Sequence, residues 1–448
     1  MKKYFTIALL LATIFSEAQT QPLKISANKR YFQTKDGKPF FWLGDTGWLL
    51  FKKCKKEDAI KYLDDRKSKG FNVIQVMLLH ELNITDVYGD SALINKNIAV
   101  PNLLGLHGSS YWDNVDLIIK EAEKRGIYMA LVPVWGGNIK QVSVEQAKIY
   151  AAFLANRYKN YNNIIWLNGG DIKGGDALEK WNAIGNTIRS IDKNHLIGFH
   201  PRGRNSSSAW FHNEAWLDFN MFQSGHKSYE QDTAYNETLH YGEDNWRYVN
   251  DDYALKPLKP TFDGEPSYEN IPHGLHDSAE KRWTAADVRR YAYWSVFAGG
   301  CGFTYGNNSV MQFYRKGNKD MSFGANKDWD TELNTPGAAQ MQYLKTLILS
   351  KSYFDRVPDQ SLVTDNGEKY NRVMATKGKN YALFYVYNAR AFKTNLATLN
   401  FKPGKATWFS PVDSQVIPIK NYKYAVQKTF DPPGEKGDGN DWVLILEK

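Results

Sequence analysis

Two short apolar runs in this chain of 448 residues each end, through glycine, on a carboxylate. Ile164-Ile165-Trp166-Leu167-Asn168 leads into Gly169-Gly170-Asp171, and Pro260-Thr261-Phe262-Asp263 leads into Gly264-Glu265-Pro266. Such runs read as buried strands, and glycine after them lets the backbone turn closely under a ligand. At the open, C-terminal end of an α/β barrel, each strand would turn its acid toward a cleft. Two facing acids can break a glycosidic bond, one protonating the leaving oxygen while the other attacks or activates water. The alternatives are a turn residue or helix cap for Asp171 and a salt bridge at the barrel rim for Glu265. Asp263 then points into the barrel or supports Glu265, and Glu269 is expected to be exposed.

Further candidates sit at neighbouring strand ends. Asp45, in Gly44-Asp45-Thr46-Gly47-Trp48, either binds sugar hydroxyls or fixes its own turn. Trp48 and Trp135 are stacking platforms or packed core. His80, Asn168, His200, Gln223, His226 and Tyr305 lie at or just past strand ends and either line a pocket or are satisfied rim residues.

The elements that must hold these residues follow a repeating order. Tyr31–Thr34 and Pro39–Leu43 flank Asp36-Gly37, a hairpin signal. A helix with Ile60 and Leu63 inward ends at Gly70 before the strand Phe71–Leu79. Another, carrying Val115, Ile118, Ile119 and Ala122, ends at Gly126 before Ile127–Trp135. The glycine-then-strand junction occurs twice, as αβ units around a parallel sheet require. Ser143 with Gln146, Asp176 with Glu179, and Thr284 with Asp287 predict capped helix starts. Short strands follow at Leu196–His200, Leu217–Phe222, Pro260–Asp263 and Gly302–Tyr305, with a helix expected near Glu243–Tyr253. Counted from Phe41 there are eight strands, the number of a (β/α)8 TIM barrel, with Asp171 after the fourth and Glu265 after the seventh.

From about Tyr353 the pattern changes to short strands split by turn residues: Arg372–Thr376, Tyr381–Tyr387, Ala397–Phe401, Ala406–Phe409 and Trp442–Leu446. They predict a small β-sandwich packed directly on the barrel. The domains expected are a signal peptide over 1–18, the barrel with its hairpin over 19–352, and the β-sandwich over 353–448.

Composition narrows the function. Lys+Arg 57 less Asp+Glu 48 gives +9, spread along the chain rather than gathered in a tract, which argues against a nucleic-acid partner. The 14 Trp and 27 Tyr suit a sugar cleft but also a large core. Met-Lys-Lys, an apolar stretch from Tyr4 to Phe15 and Ser16-Glu17-Ala18 make a cleavable signal peptide too short to span a bilayer. No cysteine stands directly after the cleavage site, so no lipid anchor is expected there; no other run approaches ~18 apolar residues, so no membrane insertion is expected, and the protein is read as periplasmic or secreted. Cys54 and Cys301 read as buried thiols, with a bridge between them open. His273-Gly274-Leu275-His276 lacks further metal ligands at a recognisable spacing. The run from Asp431 to Asp441, broken by Pro432-Pro433, lacks the calcium-loop pattern. No phosphate loop, dinucleotide fingerprint or serine elbow is present. No cofactor or metal is expected, and the oligomeric state is left open.

Phe41–Trp48, Trp166–Asp171 and Asp263–Glu269 resemble the apiosidase-like barrels, glycoside hydrolase family 140. The tail, with Ala406–Pro411, Asp431–Gly434 and Asp441–Leu444, is similar to the collagen-binding β-domain that follows them. This resemblance implies a retaining hydrolase that releases apiose from the rhamnogalacturonan-II side chains of plant pectin, with Asp171 as general acid/base and Glu265 as nucleophile. One departure stands out. In the wider clan the fourth strand ends Asn-Glu, whereas here two glycines separate Asn168 from a shorter acid. Retention is expected, with the carboxyl groups ~5–5.5 Å apart. The alternatives are another exo- or endo-glycosidase on the same barrel, or a non-catalytic carbohydrate- or matrix-binding protein.

Overall fold

The computed structural model describes residues 20–233 and 239–448. The expected signal peptide lies outside the described residues. Among those described, no helix is long and apolar enough to cross a membrane.

Eight strands form the barrel: β1 (Trp42–Thr46), β2 (Val73–Met77), β3 (Tyr128–Val132), β4 (Ile164–Ile172), β5 (Ile197–Pro201), β6 (Asn220–Gln223), β7 (Thr261–Asp263) and β8 (Gly302–Tyr305). They pair in parallel in the order β5-β4-β3-β2-β1-β8-β7-β6. β5 and β6 lie side by side to close the ring, joined where Asp218 N–H donates to the Ile197 carbonyl at 2.8 Å. A short strand, Asn205–Ser206, adds to β6 antiparallel.

A helix packs after each strand: α1 (Lys56–Ser68), α2 (Tyr111–Lys124), α3 (Val144–Tyr158), α4 (Leu178–Ile191), α5 (Ser208–Phe211), α6 (Asn245–Ala254), α7 (Ala285–Phe297) and α8 (Pro336–Leu349), with further single turns at Leu50–Lys53, Asn308–Met311 and Trp329–Glu332. Capping boxes start α3 at Ser143 and α7 at Thr284, and a further one starts α2 at Ser110. The cap expected from Asp176 and Glu179 is absent. The residue before α4 is Ala177, and Asp176 sits in a tight turn over Gly174–Ala177, 3.5 Å from Lys140.

Strand alternation sorts side chains into two cores. Ile74, Val76, Met129, Leu131, Ile164, Trp166, Ile197 and Phe199 face the helices. Inside the ring, Trp42 and Phe262 pack at 4.6 Å between centroids, and Phe219 lies near both. Phe32, from the hairpin Phe32–Gln33/Pro39–Phe40, packs edge-on against Phe219 at 5.3 Å and plugs this end of the barrel. Above the plug a polar relay crosses the interior. Trp42 Nε1 donates to Thr304 Oγ1 (3.0 Å), Thr304 to Gln75 Oε1 (3.1 Å), and Gln75 Nε2 to the Gly264 carbonyl (2.9 Å). A buried amide bonded on both sides is a rigid spacer, and this one fixes the backbone beside Glu265.

The C-terminal domain is a six-stranded antiparallel sheet covered by the pair Phe392–Asn395/Gln427–Phe430. Phe384, Phe392, Trp408 and Phe430 fill the space between. The strand expected at Ala397–Phe401 is instead turn, and the pairing run is Phe392–Asn395, whose Phe392 and Thr394 alternate into the core. The sheet's other face meets α7. Tyr385 stacks on Tyr293 at 4.7 Å, and Arg289 grips Asp441 through Nε (2.9 Å) and Nη2 (2.7 Å). Cys54 and Cys301 are both free and buried.

Candidate active site

The strand ends open on a cleft of about 750 Å³. Asp171 and Glu265 both line it, together with Trp48, His80, Trp135, Gln223 and His226. The end of β4 is built by glycine. Gly169 and Gly170 have φ of +92° and +113°, and a Cβ there would meet the His200 carbonyl at 2.5 Å and the Trp135 ring at 2.7 Å. Asp171 itself is left-handed, with φ +49°, a conformation aspartate tolerates better than most residues. The register against β5 shifts between Gly169 and Ile172, and this bulge presents Asp171 to the open cleft.

Glu265 is nearly buried and held by two histidines. His226 Nε2 lies 3.1 Å from Oε1, and His200 Nε2 lies 3.0 Å from Oε2 in a bent contact. Backbone N–H groups face the other ring nitrogens, Tyr268 N at 3.4 Å from His226 Nδ1 and Asp171 N at 3.5 Å from His200 Nδ1. A backbone N–H can only donate, so each Nδ1 accepts and each Nε2 carries the proton directed to Glu265. Trp48 and Trp135 enclose His200 at 5.2 and 5.8 Å between centroids, and Trp48 Nε1 donates to Tyr268 Oη at 3.1 Å.

These surroundings drive the two acids apart. Burial alone would raise Glu265, but the Nε2–H groups of His200 and His226, aimed at its two oxygens, outweigh it and hold its pKa at about 2. Asp171 is raised, by desolvation first and by the Glu265 charge second, although Arg202 pulls the other way. Asp171 is open to the cleft on one side and enclosed by protein on the others, so burial and access to a ligand coexist. Of the two, Glu265 is thereby the readier to ionise and Asp171 the readier to hold a proton.

Three sequence candidates face away from the cleft. Asp45 is wholly buried, 2.5 Å from Arg66 Nε and 2.7 Å from the Tyr62 hydroxyl of α1, and cannot reach a sugar. Asn168 donates to the Trp181 carbonyl of α4 at 2.8 Å. Tyr305 donates to Glu269 at 2.6 Å, and Glu269 is therefore buried rather than exposed. Asp263 faces α6 rather than the barrel interior, accepting from Ser224 and, at 2.9 Å, from Asn245. Its burial pushes it up to about 7.

A family model described as "Apiosidase-like, catalytic domain" matches residues 26–355. The chain belongs to the apiosidase-like family. A second model, "Putative collagen-binding domain of a collagenase", matches residues 357–447, the β-sandwich. A solved structure titled "Glycoside hydrolase" is 44% identical with a TM-score of 0.92, covering 96% of this chain and 97% of that one. A glycoside hydrolase family 5 protein from Bacteroides vulgatus is 43% identical with a TM-score of 0.90, covering 95% and 92%. No curated protein matches the chain.

The apiosidase-like cleft also holds residues that sequence reading missed. Tyr268 packs edge-on against His226 at 4.7 Å, and burial followed by the Glu265 charge raises its hydroxyl. Arg202 and Arg204 enter the cleft from the loop after β5, while Leu275, His276 and Phe323 form its opposite rim. Gln312 pins that rim, donating to the Ser322 carbonyl at 3.0 Å and accepting from Ser322 N–H at 2.8 Å. Among the described residues no group of three or more His, Cys, Asp or Glu is arranged to hold a metal ion.

Proposed function

We propose that this apiosidase-like glycoside hydrolase is exported and removes a terminal sugar from plant cell-wall pectin side chains with retention of configuration. The observation that carries the reading is that Asp171 and Glu265 line one cleft, where burial and the Glu265 charge raise the first while His200 and His226 hold the second down. In the first step a Glu265 oxygen attacks the anomeric carbon. The bond to the leaving oxygen breaks, and that oxygen takes the Asp171 proton. In the second step Asp171, now ionised, takes a proton from water as its oxygen attacks the anomeric carbon and frees Glu265. Trp135, partly exposed beside Asp171, offers a ring face to the sugar. Gln223 Oε1, without a hydrogen-bond partner among the described residues, offers an acceptor for a hydroxyl. The basic, apolar N-terminus supports export, to the periplasm or beyond.

A second reading, another glycosidase on the same barrel, is favoured by the family 5 title of the 43% identical structure. Release of reducing sugar from a panel of pectin side-chain oligosaccharides and β-glucans separates the two. Glu265→Gln and Asp171→Asn should each lower kcat at least ~100-fold with unchanged thermal melting. A Glu265→Gln variant of near-normal rate ends the assignment.

A further inference from the structure

The carboxylate of Glu243, buried just ahead of α6, joins three parts of the molecule. Tyr229, in the loop that leaves His226, donates its backbone N–H to Oε1 at 3.2 Å. Arg290 of α7 lies 2.6 Å from Oε2. From the C-terminal domain, the Tyr370 hydroxyl lies 3.0 Å from both oxygens. The Tyr370 ring also lies over the Arg290 guanidinium at 4.6 Å and against the Tyr229 ring at 5.7 Å. A buried carboxylate shared by a guanidinium and two further donors has little freedom, because moving any partner leaves a desolvated charge poorly matched.

From this knot two short paths reach Glu265. Three residues before Tyr229, His226 contacts Glu265 Oε1 at 3.1 Å. Two residues after Glu243, Asn245 donates to Asp263 at 2.9 Å, and Asp263 is two residues from Glu265. The loop that aims His226 and the strand end that carries Glu265 therefore share an anchor, and one of its donors belongs to the other domain.

We propose that Tyr370 is a positioning residue for the hydrolytic site, acting through Glu243 on His226 and Glu265. The β-sandwich is then a working part of the catalytic unit and not a detachable binding module. This rests on the reading of Glu265 as nucleophile, and the test separates the two. Tyr370→Phe in the full chain removes only the hydroxyl. Lys351→Met serves as control, since it breaks a different inter-domain ion pair, to Glu447.

In Tyr370→Phe, kcat should fall by about ten- to a hundred-fold while KM stays within about two-fold. The imidazole ¹⁵N resonances of His226 in the ligand-free protein should move, while Lys351→Met changes neither. Unmoved His226 resonances with wild-type kcat overturn the proposal, as do equal losses in the two variants. Moved resonances in an enzyme whose Glu265→Gln variant stays active leave the contact standing and overturn the nucleophile assignment instead.

Discussion

The ends of β1 and β4 look alike in sequence, Gly44-Asp45-Thr46-Gly47 against Gly169-Gly170-Asp171, yet they do opposite work. Asp45 faces outward and is matched by Arg66 and Tyr62, all three buried. Asp171 has been carried by a glycine bulge to the open side, where its strongest electrostatic neighbour is another carboxylate. Burial raises both acids, but the next largest influence on Asp45 is the opposing Arg66 guanidinium, whereas on Asp171 it is the Glu265 charge, which adds to the rise. An acid at a barrel rim is thus structural or chemical according to the face its strand turns it to.

The comparison breaks most visibly in stability. Asp45→Ala leaves the buried Arg66 Nε unmatched, with Asp65 on Nη1 as its remaining carboxylate, and should cost about 3 kcal/mol in chemical denaturation. Asp171→Asn, which replaces a group already disposed to stay uncharged beside Glu265, should leave the midpoint unchanged or slightly higher. Equal losses in both variants would erase the distinction drawn here.

A smaller effect sharpens it further. Asp263, like Asp45, faces a helix, but Asn245 and Ser224 give it hydrogen bonds and no cation. Its folded pKa, about 7, lies above the 3.8 of an ordinary aspartate, so the protonated form is favoured on folding. That contribution is complete below about pH 3.8 and is lost as pH rises through about 7. Asp263→Asn keeps an acceptor for both donors and should flatten the decline of melting temperature between pH 4 and 7. An unchanged slope would show that Asp263 ionises without cost.

The barrel was legible because glycine ended its early helices and apolar runs marked its strands. Asp171 and Glu265 were legible because glycine follows a strand before each. Asp45, Asn168 and Tyr305 were misplaced for one shared reason, since each lies on the outward parity of its strand. In β4, Trp166 and Asn168 face the helices while Leu167 faces inward, so counting by twos from Trp166 was an available signal. His200 and Gln223 fall on the inward parity; Gln223 lines the cleft, whereas the fully buried His200 reaches it only through Glu265. Tyr268, Arg202 and the Glu243 knot carried no such signal, because their partners lie tens of residues away along the chain and spacing says nothing about them.

Hydrolysis at this cleft needs two acids whose pKa values its surroundings have moved apart. A pH titration of carboxyl ¹³C resonances, assigned through Asp171→Asn and Glu265→Gln, measures this without any substrate. Glu265 should ionise first, with its midpoint near about 2, and Asp171 should titrate after it, above the ordinary aspartate range. An Asp171 that ionises before Glu265 as pH rises would contradict the account.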